Sequence, residues 1–308
     1  MPERLGLAIL PGTGWRAHEI ETIAREAEDA GFEAILNAEA NNDGLATAQL
    51  MGAVTSRIKV GTWIASIYLR HAYLCAQGAA LIADATGGRM ILGLGVSHQP
   101  VNRALGVETA SPLSDLRPYL TEVQSWQRGE GPATHLPQHP APRRVSVHMA
   151  ALTSKAVELA GEVADGVMPV FWPATRVTRS KTWAARGRAK SPERGPLEVS
   201  LGLPVFVGDD LTAMRTLARR NLAIYTTFPF YQRLFRLIGF VAEAEKAEQG
   251  AAAEALSDAL LDAVCLIGPI ARCRERLATY RAAGLDLPIL YPPIGVDGAR
   301  AVINAFRQ

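Results

Sequence analysis

The chain has 308 residues, of which 48% are hydrophobic and 20% charged, which excludes a disordered chain and leaves room for one large α/β domain or two ordinary ones. Its 32 Lys and Arg against 30 Asp and Glu give a formal net charge of +2, too even for a nucleic-acid-binding surface. Three cysteines, Cys75, Cys265 and Cys273, show no C-x-x-C spacing; they argue against a disulfide framework or a zinc site and fit a reducing cytoplasm.

The first apolar run, Leu5 to Leu10, is stopped by Pro11 and Gly12. It is too short for a secretory signal and predicts a strand. His18 to Ala30 predicts a helix closed by Gly31, in the position where a left-handed residue ends a helix. Phe32 to Asn37 predicts the second strand, with a helix around Leu45 to Thr55. Ile58 to Ala65 is the third strand, and Ala72 to Thr86 a helix stopped by Gly87 and Gly88.

RMILGLGVSHQP, Arg89 to Pro100, then carries two glycines one residue apart behind an apolar strand, Met90 to Val96. The dinucleotide fingerprint needs a third glycine where His98 stands, and it normally opens a domain rather than coming after three strand-helix units. The segment is therefore the fourth strand of a different fold.

Thr109 to Pro142 is proline-rich and polar apart from a helix near Leu116 to Gln127, so Gly129 to Pro142 reads as an exposed loop. His135 and His139 fall in it, spaced i and i+4 but among prolines that argue against the helix a metal pair would need. The alternation resumes with a strand at Val145 to Ala151, a helix at Ser154 to Val163, and strands at Gly166 to Val170 and Val199 to Val207. Asp209 to Leu222 is helical, and Tyr225 to Ala263 holds no strand. Pro269 to Ala283 is a helix ended by Gly284, followed by a strand at Leu287 to Tyr291 and a closing helix to Phe306. No segment is long and apolar enough to cross a membrane.

Eight near-continuous apolar strands alternating with helices predict an α/β fold, one (β/α)8 TIM barrel over residues 1–308 with a helical insertion between strands 7 and 8. An open doubly wound sheet is the alternative. In a barrel the active site lies at the C-terminal strand ends. That rule nominates Glu39 after strand two, Trp63 to Ser66 at the end of strand three, Ser97 and His98 after strand four, Leu152 to Lys155 after strand five, and Phe171 and Trp172 after strand six.

His98 titrates near neutral pH when unperturbed, so it can move a proton or hydrogen-bond a bound ring. Glu39 is either a site carboxylate or the partner of a barrel arginine. Thr153 and Ser154 open a helix where free amides and the dipole favour an anion, with Lys155 adding charge, although Ser and Thr are also ordinary caps. Trp63 and Trp172 each suit core packing, and together a flat aromatic ligand. There is no nucleophile elbow, H-E-x-x-H or Walker sequence, and the six histidines are scattered, so no metal is expected.

Four stretches in order along the chain resemble the luciferase-like family of barrel oxidoreductases, in its branch that uses the deazaflavin coenzyme F-420. GRMILGLGVSH, Gly88 to His98, is similar to that family's strand-four signature, and VGTWIASIYLRHAY, Val60 to Tyr73, to its strand-three segment. VHMAALTSKAVELAGEVADGV, Val147 to Val167, is similar to its phosphate-side strand and helix, and PIARCRERLATYRAAGLD, Pro269 to Asp286, to its penultimate helix.

The resemblance implies that Gly93 and Gly95 belong to a barrel strand beneath a tricyclic ring, and that the Trp63–Ile64 bond is a cis peptide forming a bulge under that ring. It implies ring and ribityl contacts from Trp63, Ile64, Ala65, Ser66, Ser97 and His98, and phosphate contacts from Ala151, Leu152, Thr153, Ser154 and Lys155. The chain departs from the family in having Ala38-Glu39-Ala40 where relatives often carry Asp-His, and Leu152-Thr153 in place of a glycine-rich phosphate turn.

The expected activity is hydride transfer between the deazaflavin and a small organic substrate, with His98 and Glu39 handling protons. A flavin mononucleotide (FMN) monooxygenase served by a separate flavin reductase is the alternative, and a barrel that only binds the coenzyme is a third. The substrate depends on the aromatic insertion Tyr225 to Phe240, which is either a pocket wall or a dimer face. A cytoplasmic homodimer, with no nucleic-acid or membrane partner, is expected.

Overall fold

The computed structural model describes residues 3–109, 111–130 and 144–308. His135 and His139 lie outside the described residues. Ten strands form one parallel sheet: β1 (Gly6–Ile9), β2 (Ala34–Asn37), β3 (Lys59–Thr62), β4 (Ala65–Ser66), β5 (Met90–Gly95), β6 (Ser146–Ala150), β7 (Gly166–Met168), β8 (Glu198–Val207), β9 (Leu266–Gly268) and β10 (Leu287–Tyr291). The order runs β10-β1-β2-β3-β5-β6-β7-β8, and β8 pairs back to β10, which closes an eight-stranded barrel. The doubly wound alternative is therefore excluded.

All eight expected strands are present, and the third differs in detail. It stops at Thr62, the Trp63–Ile64 peptide is cis, and the chain re-enters as β4, which pairs with β5 alone. The short β9 is an addition to the expected set; it runs parallel to the far end of β8, Val205 to Val207.

The helices are α1 (Ala17–Asp29), α2 (Gly44–Ala53), α3 (Ala72–Ala85), α4 (Gln99–Ala104), α5 (Pro112–Gln127), α6 (Ser154–Val163), α7 (Ala174–Arg188), α8 (Leu211–Thr226), α9 (Pro229–Leu237), α10 (Val241–Glu248), α11 (Asp258–Val264), α12 (Ile270–Ala282) and α13 (Val296–Ala305). Asp43, Thr153, Asp210 and Ser257 cap α2, α6, α8 and α11 through side-chain oxygens that accept first-turn amides. The stretch from α8 to α12 is the helical insertion between the seventh and eighth barrel strands.

Two cores hold the molecule. The larger lies between strands and helices, where the outward strand residues such as Leu7, Ile35, Val60 and Leu92 are buried. The smaller fills the barrel lumen with Ala8, Ala34, Leu36, Ile91, Met168, Leu287 and Ile289, and Trp63 and Ile64 pack on it. Because the strands are covered on both faces, their sequences carry no polar alternation. Apolar side chains thus pack the middle of the lumen, and in a barrel of this kind the site is built on the upper rim from the segments that leave the C-terminal ends of the strands.

Candidate active site

The bulge after β3 is held from three directions. Trp63 N–H donates to the Asn37 carbonyl at 2.7 Å, Glu39 N–H to the Ile64 carbonyl at 3.2 Å, and Ser66 N–H to Glu39 Oε2 at 2.7 Å. Gly95 leaves room for the bulge: a Cβ there would stand 2.8 Å from Ile64 Cδ1. Gly202 does the same for the Trp63 ring, whose Cζ2 would be 2.0 Å from an added Cβ. Trp63 and Ile64 remain half-buried on the upper rim, while Ala65 and Ser66 turn inward.

Glu39 sits in a closed polar cluster. Its side chain is only 4% exposed, and Oε1 accepts from Arg70 Nη1 at 2.6 Å and from Gly44 N–H at 3.0 Å. With Ser66 on Oε2, both oxygens are engaged by a guanidinium and two amides. The carboxylate clamps β2, the bulge and the start of α2 together. Of the two readings open for Glu39, the structure shows the partner of an arginine.

His98 differs in every respect. It is joined to β5 through Ser97, which takes a left-handed conformation at φ 55° and turns the chain onto the rim. The imidazole stacks on Phe228 with ring centroids 4.1 Å apart and planes 6° apart. Its Nδ1 is buried without a hydrogen-bond partner among the described residues. Burial pushes its pKa down to about 4, so the ring is neutral at physiological pH.

Phe228 comes from the insertion, and so does most of the cover. Tyr225, Phe228 and Tyr231 are spaced three residues apart across the α8 to α9 turn; Tyr225 and Tyr231 pack on Phe171, Tyr225 also meets Tyr291, and Phe228 packs on both tyrosines. Trp63 reaches Tyr291 with centroids 5.7 Å apart. Tyr225 and Tyr291 share a hydrogen bond of 2.9 Å between their hydroxyls. Burial raises the pKa of all three tyrosines, so each phenol keeps its proton. The aromatic insertion therefore roofs the barrel, as a wall of its mouth. Sequence reasoning does not single out Tyr225, Tyr231 or Tyr291; only the density of aromatics at 225–240 points there.

One strand over, β6 ends in the segment expected to hold a phosphate. Ala151 is buried and Leu152 half-buried, while Ser154 and Lys155 are exposed at the first turn of α6. Thr153 uses its Oγ1 to cap Ala156 N–H at 3.3 Å. The amides of Ser154 and Lys155 make no backbone hydrogen bond among the described residues, the usual orphan donors of a helix start. Trp172 does not join this rim: it is fully buried, packed edge-on to Trp183.

The donor set fits a ring-and-phosphate ligand. Planar apolar surface and one unsatisfied imidazole nitrogen stand at the mouth, and free amides with a positive helix end stand beside it. Among the described residues, no group of three or more His, Cys, Asp or Glu could hold a metal ion. Nor is any helix among them long and apolar enough to cross a membrane.

A closed parallel barrel with aromatic side chains over its C-terminal rim is an architecture that many enzymes share. The sequence profile of the luciferase-like monooxygenases matches residues 4–287, and the chain belongs to that family. It is 28% identical over 304 residues to a putative coenzyme F-420-dependent oxidoreductase of Mycobacterium tuberculosis, covering 86% of this chain and 88% of that protein. Among solved structures, the coenzyme F-420-dependent tetrahydromethanopterin reductase of Methanopyrus kandleri superposes with a TM-score of 0.80 at 19% identity, over 100% of this chain and 98% of that one. The oxygenating constituent of 3,6-diketocamphane monooxygenase from Pseudomonas putida, in complex with FMN, superposes with a TM-score of 0.69 at 16% identity, over 99% and 96%. At those identities the two structures speak for the fold alone.

Proposed function

We propose that the protein is an oxidoreductase that uses the deazaflavin coenzyme F-420 and acts on a small organic substrate. When bound, the deazaflavin supplies the hydride chemistry, and the barrel supplies position and a dry surface. The observation that carries the reading is the placement of two unsatisfied sites on neighbouring strands. His98 Nδ1 and the apolar mouth lie past the end of β5, and the free amides of Ser154 and Lys155 past the end of β6, its hydrogen-bonded neighbour. The name of the mycobacterial relative supports the deazaflavin over FMN.

In this reading Trp63, Ile64, Ala65, Ser66 and Ser97 seat the ring system, and Ala151 to Lys155 hold its phosphate. His98, uncharged near pH 7, offers one nitrogen as hydrogen-bond acceptor or one N–H as donor, and it has no imidazolium proton to give. The Tyr225 and Tyr291 hydroxyls share one hydrogen bond, so one of the two protons is left for a third group. Where Tyr225 is the donor, the Tyr291 proton is the free one, on the ring that packs against Trp63, and it is the proton available to a substrate oxygen. Aromatic side chains around it exclude water and favour a substrate with an uncharged, apolar body.

Parallel titration of the purified protein with coenzyme F-420 and with FMN tests the reading. Tight binding of the deazaflavin alone is expected; preference for FMN together with oxygen consumption would replace it by the monooxygenase reading.

A further inference from the structure

α6 and α7 stand side by side in the barrel wall and pack through small residues: a Cβ on Gly187 would lie 2.0 Å from the Glu158 carbonyl oxygen. Both helices start at the upper rim. α7 has no acidic residue in its first turn, and its third residue is Arg176.

That arginine is unlike the other buried guanidinium groups. Arg70 faces Glu39 and Asp43, and Arg215 faces Asp258 and Asp262. Arg89 donates to four carbonyls and a hydroxyl, and Arg188 to two carbonyls near the end of α6. Arg176 is only 7% exposed and has no carboxylate partner among the described residues. Its guanidinium makes one hydrogen bond among them, Nη2 to the Leu152 carbonyl at 2.8 Å, and its Nε, like those of Arg188 and Arg215, is buried with no partner. Trp172 and Trp183 flank the guanidinium at 5.3 and 5.1 Å, which orients the fork without neutralising it.

A cation taken from water without a counter-charge is costly, and the start of its own helix is the unfavourable end for it. Both penalties reverse if an anion sits there. The Leu152 carbonyl that Arg176 holds belongs to the residue just before the Thr153 cap, which ties the fork to the segment that opens α6, two residues ahead of the open amide of Ser154.

We infer that Arg176 is the residue that reads the phosphate of the bound coenzyme, from α7 and across the start of α6. The phosphate then meets two helix starts and a guanidinium prepositioned between two indoles. This takes the place of the glycine-rich turn that the Leu152-Thr153 sequence lacks, because a side chain supplies what close backbone approach would otherwise provide. The inference rests on the cofactor reading above and adds to it a residue outside the 151–155 segment.

The test compares ligands that differ only in the phosphate arm. Wild-type protein, Arg176→Gln and Arg176→Lys are titrated by fluorescence with coenzyme F-420 and with its dephosphorylated deazaflavin riboside, and in parallel with FMN and riboflavin. For the pair that the wild type binds, Arg176→Gln is expected to weaken the phosphorylated ligand by about 10- to 100-fold. The unphosphorylated ligand should change by less than about threefold, with Arg176→Lys intermediate for the phosphorylated one. Retained riboside or riboflavin affinity also shows that the variant is folded.

Equal losses for both members of the pair, or no loss for either, would overturn the inference by making Arg176 a packing residue. Wild-type preference for the FMN pair would overturn the deazaflavin reading, while the FMN-to-riboflavin ratio would still decide Arg176. Binding of none of the four would overturn both.

Discussion

The two ends of the barrel are built on opposite electrostatic plans. At the lower end, Arg4 bridges Glu33 at 2.6 Å and Glu198 at 2.8 Å, and Lys59 joins Glu33 at 3.0 Å. His148, buried there, meets Ser146 Oγ at 3.0 Å, and Asp165 accepts the Val147 amide at 2.9 Å. Burial pushes the His148 pKa down while Glu198 and Asp165 oppose it. At the upper end, the residues around His98 are aromatic and uncharged. The lower end neutralises its charges internally, as a plug should. The upper end leaves His98 Nδ1 and the Arg176 guanidinium unneutralised, as a surface awaiting a ligand would.

Glu39 with Arg70 is the instructive exception, because it sits at the upper end but is wired like the lower one. Glu39→Ala should therefore cost stability first. It leaves a guanidinium that is only 15% exposed with Asp43 as its remaining carboxylate partner and releases the bulge, a loss of about 2–4 kcal/mol measured by urea unfolding. A folded variant of near wild-type stability with no activity would return Glu39 to a chemical role.

Gly202→Ala attacks the ring seat through packing. The new Cβ collides with Trp63, so we expect about 1–3 kcal/mol of destabilisation together with weakened coenzyme titration. Unchanged affinity would mean that Trp63 does not contribute to the seat.

The two histidines sharpen the contrast by pH. His98 has its folded-state pKa depressed from 6.5 to about 4, so between those values the unfolded chain binds the extra proton. Stability from this group is full above pH 6.5 and is lost as pH falls toward 4. Replacing His98 by Phe keeps the stack on Phe228 and should shrink the stability difference between pH 7 and pH 5 by about 1 kcal/mol, after discounting for partial exposure. An undiminished difference would assign the acid sensitivity to His148 and the carboxylates. The smallest effect belongs to Arg4→Ala: its side chain is 42% exposed, so at most about 1 kcal/mol should be lost, with coenzyme titration unaffected.

Much of the fold is readable from the chain. The eight strands are legible because each is an apolar run fenced by glycine, proline or a polar bend, and burial on both faces removes the alternation that would confuse the pattern. The place of His98 on the rim is legible because the segment after a barrel strand lies there whatever the residue. α7 is not, since ATRVTRSKTWAARGR has scattered apolar residues and five cations, which reads as solvated surface. Its Arg176 is buried only because Trp172 and Trp183, eleven residues apart, close on it. Glu39 misleads for a related reason: Arg70 lies 31 positions away, and only the fold brings the two together. The same holds for Tyr225 and Tyr291, 66 positions apart.

The most direct test of the central claim is the fluorescence-monitored titration with coenzyme F-420 and FMN side by side. Micromolar or tighter binding of the deazaflavin, with FMN at least about tenfold weaker, is the predicted result. Tighter binding of FMN, or saturable binding of neither, would contradict the account.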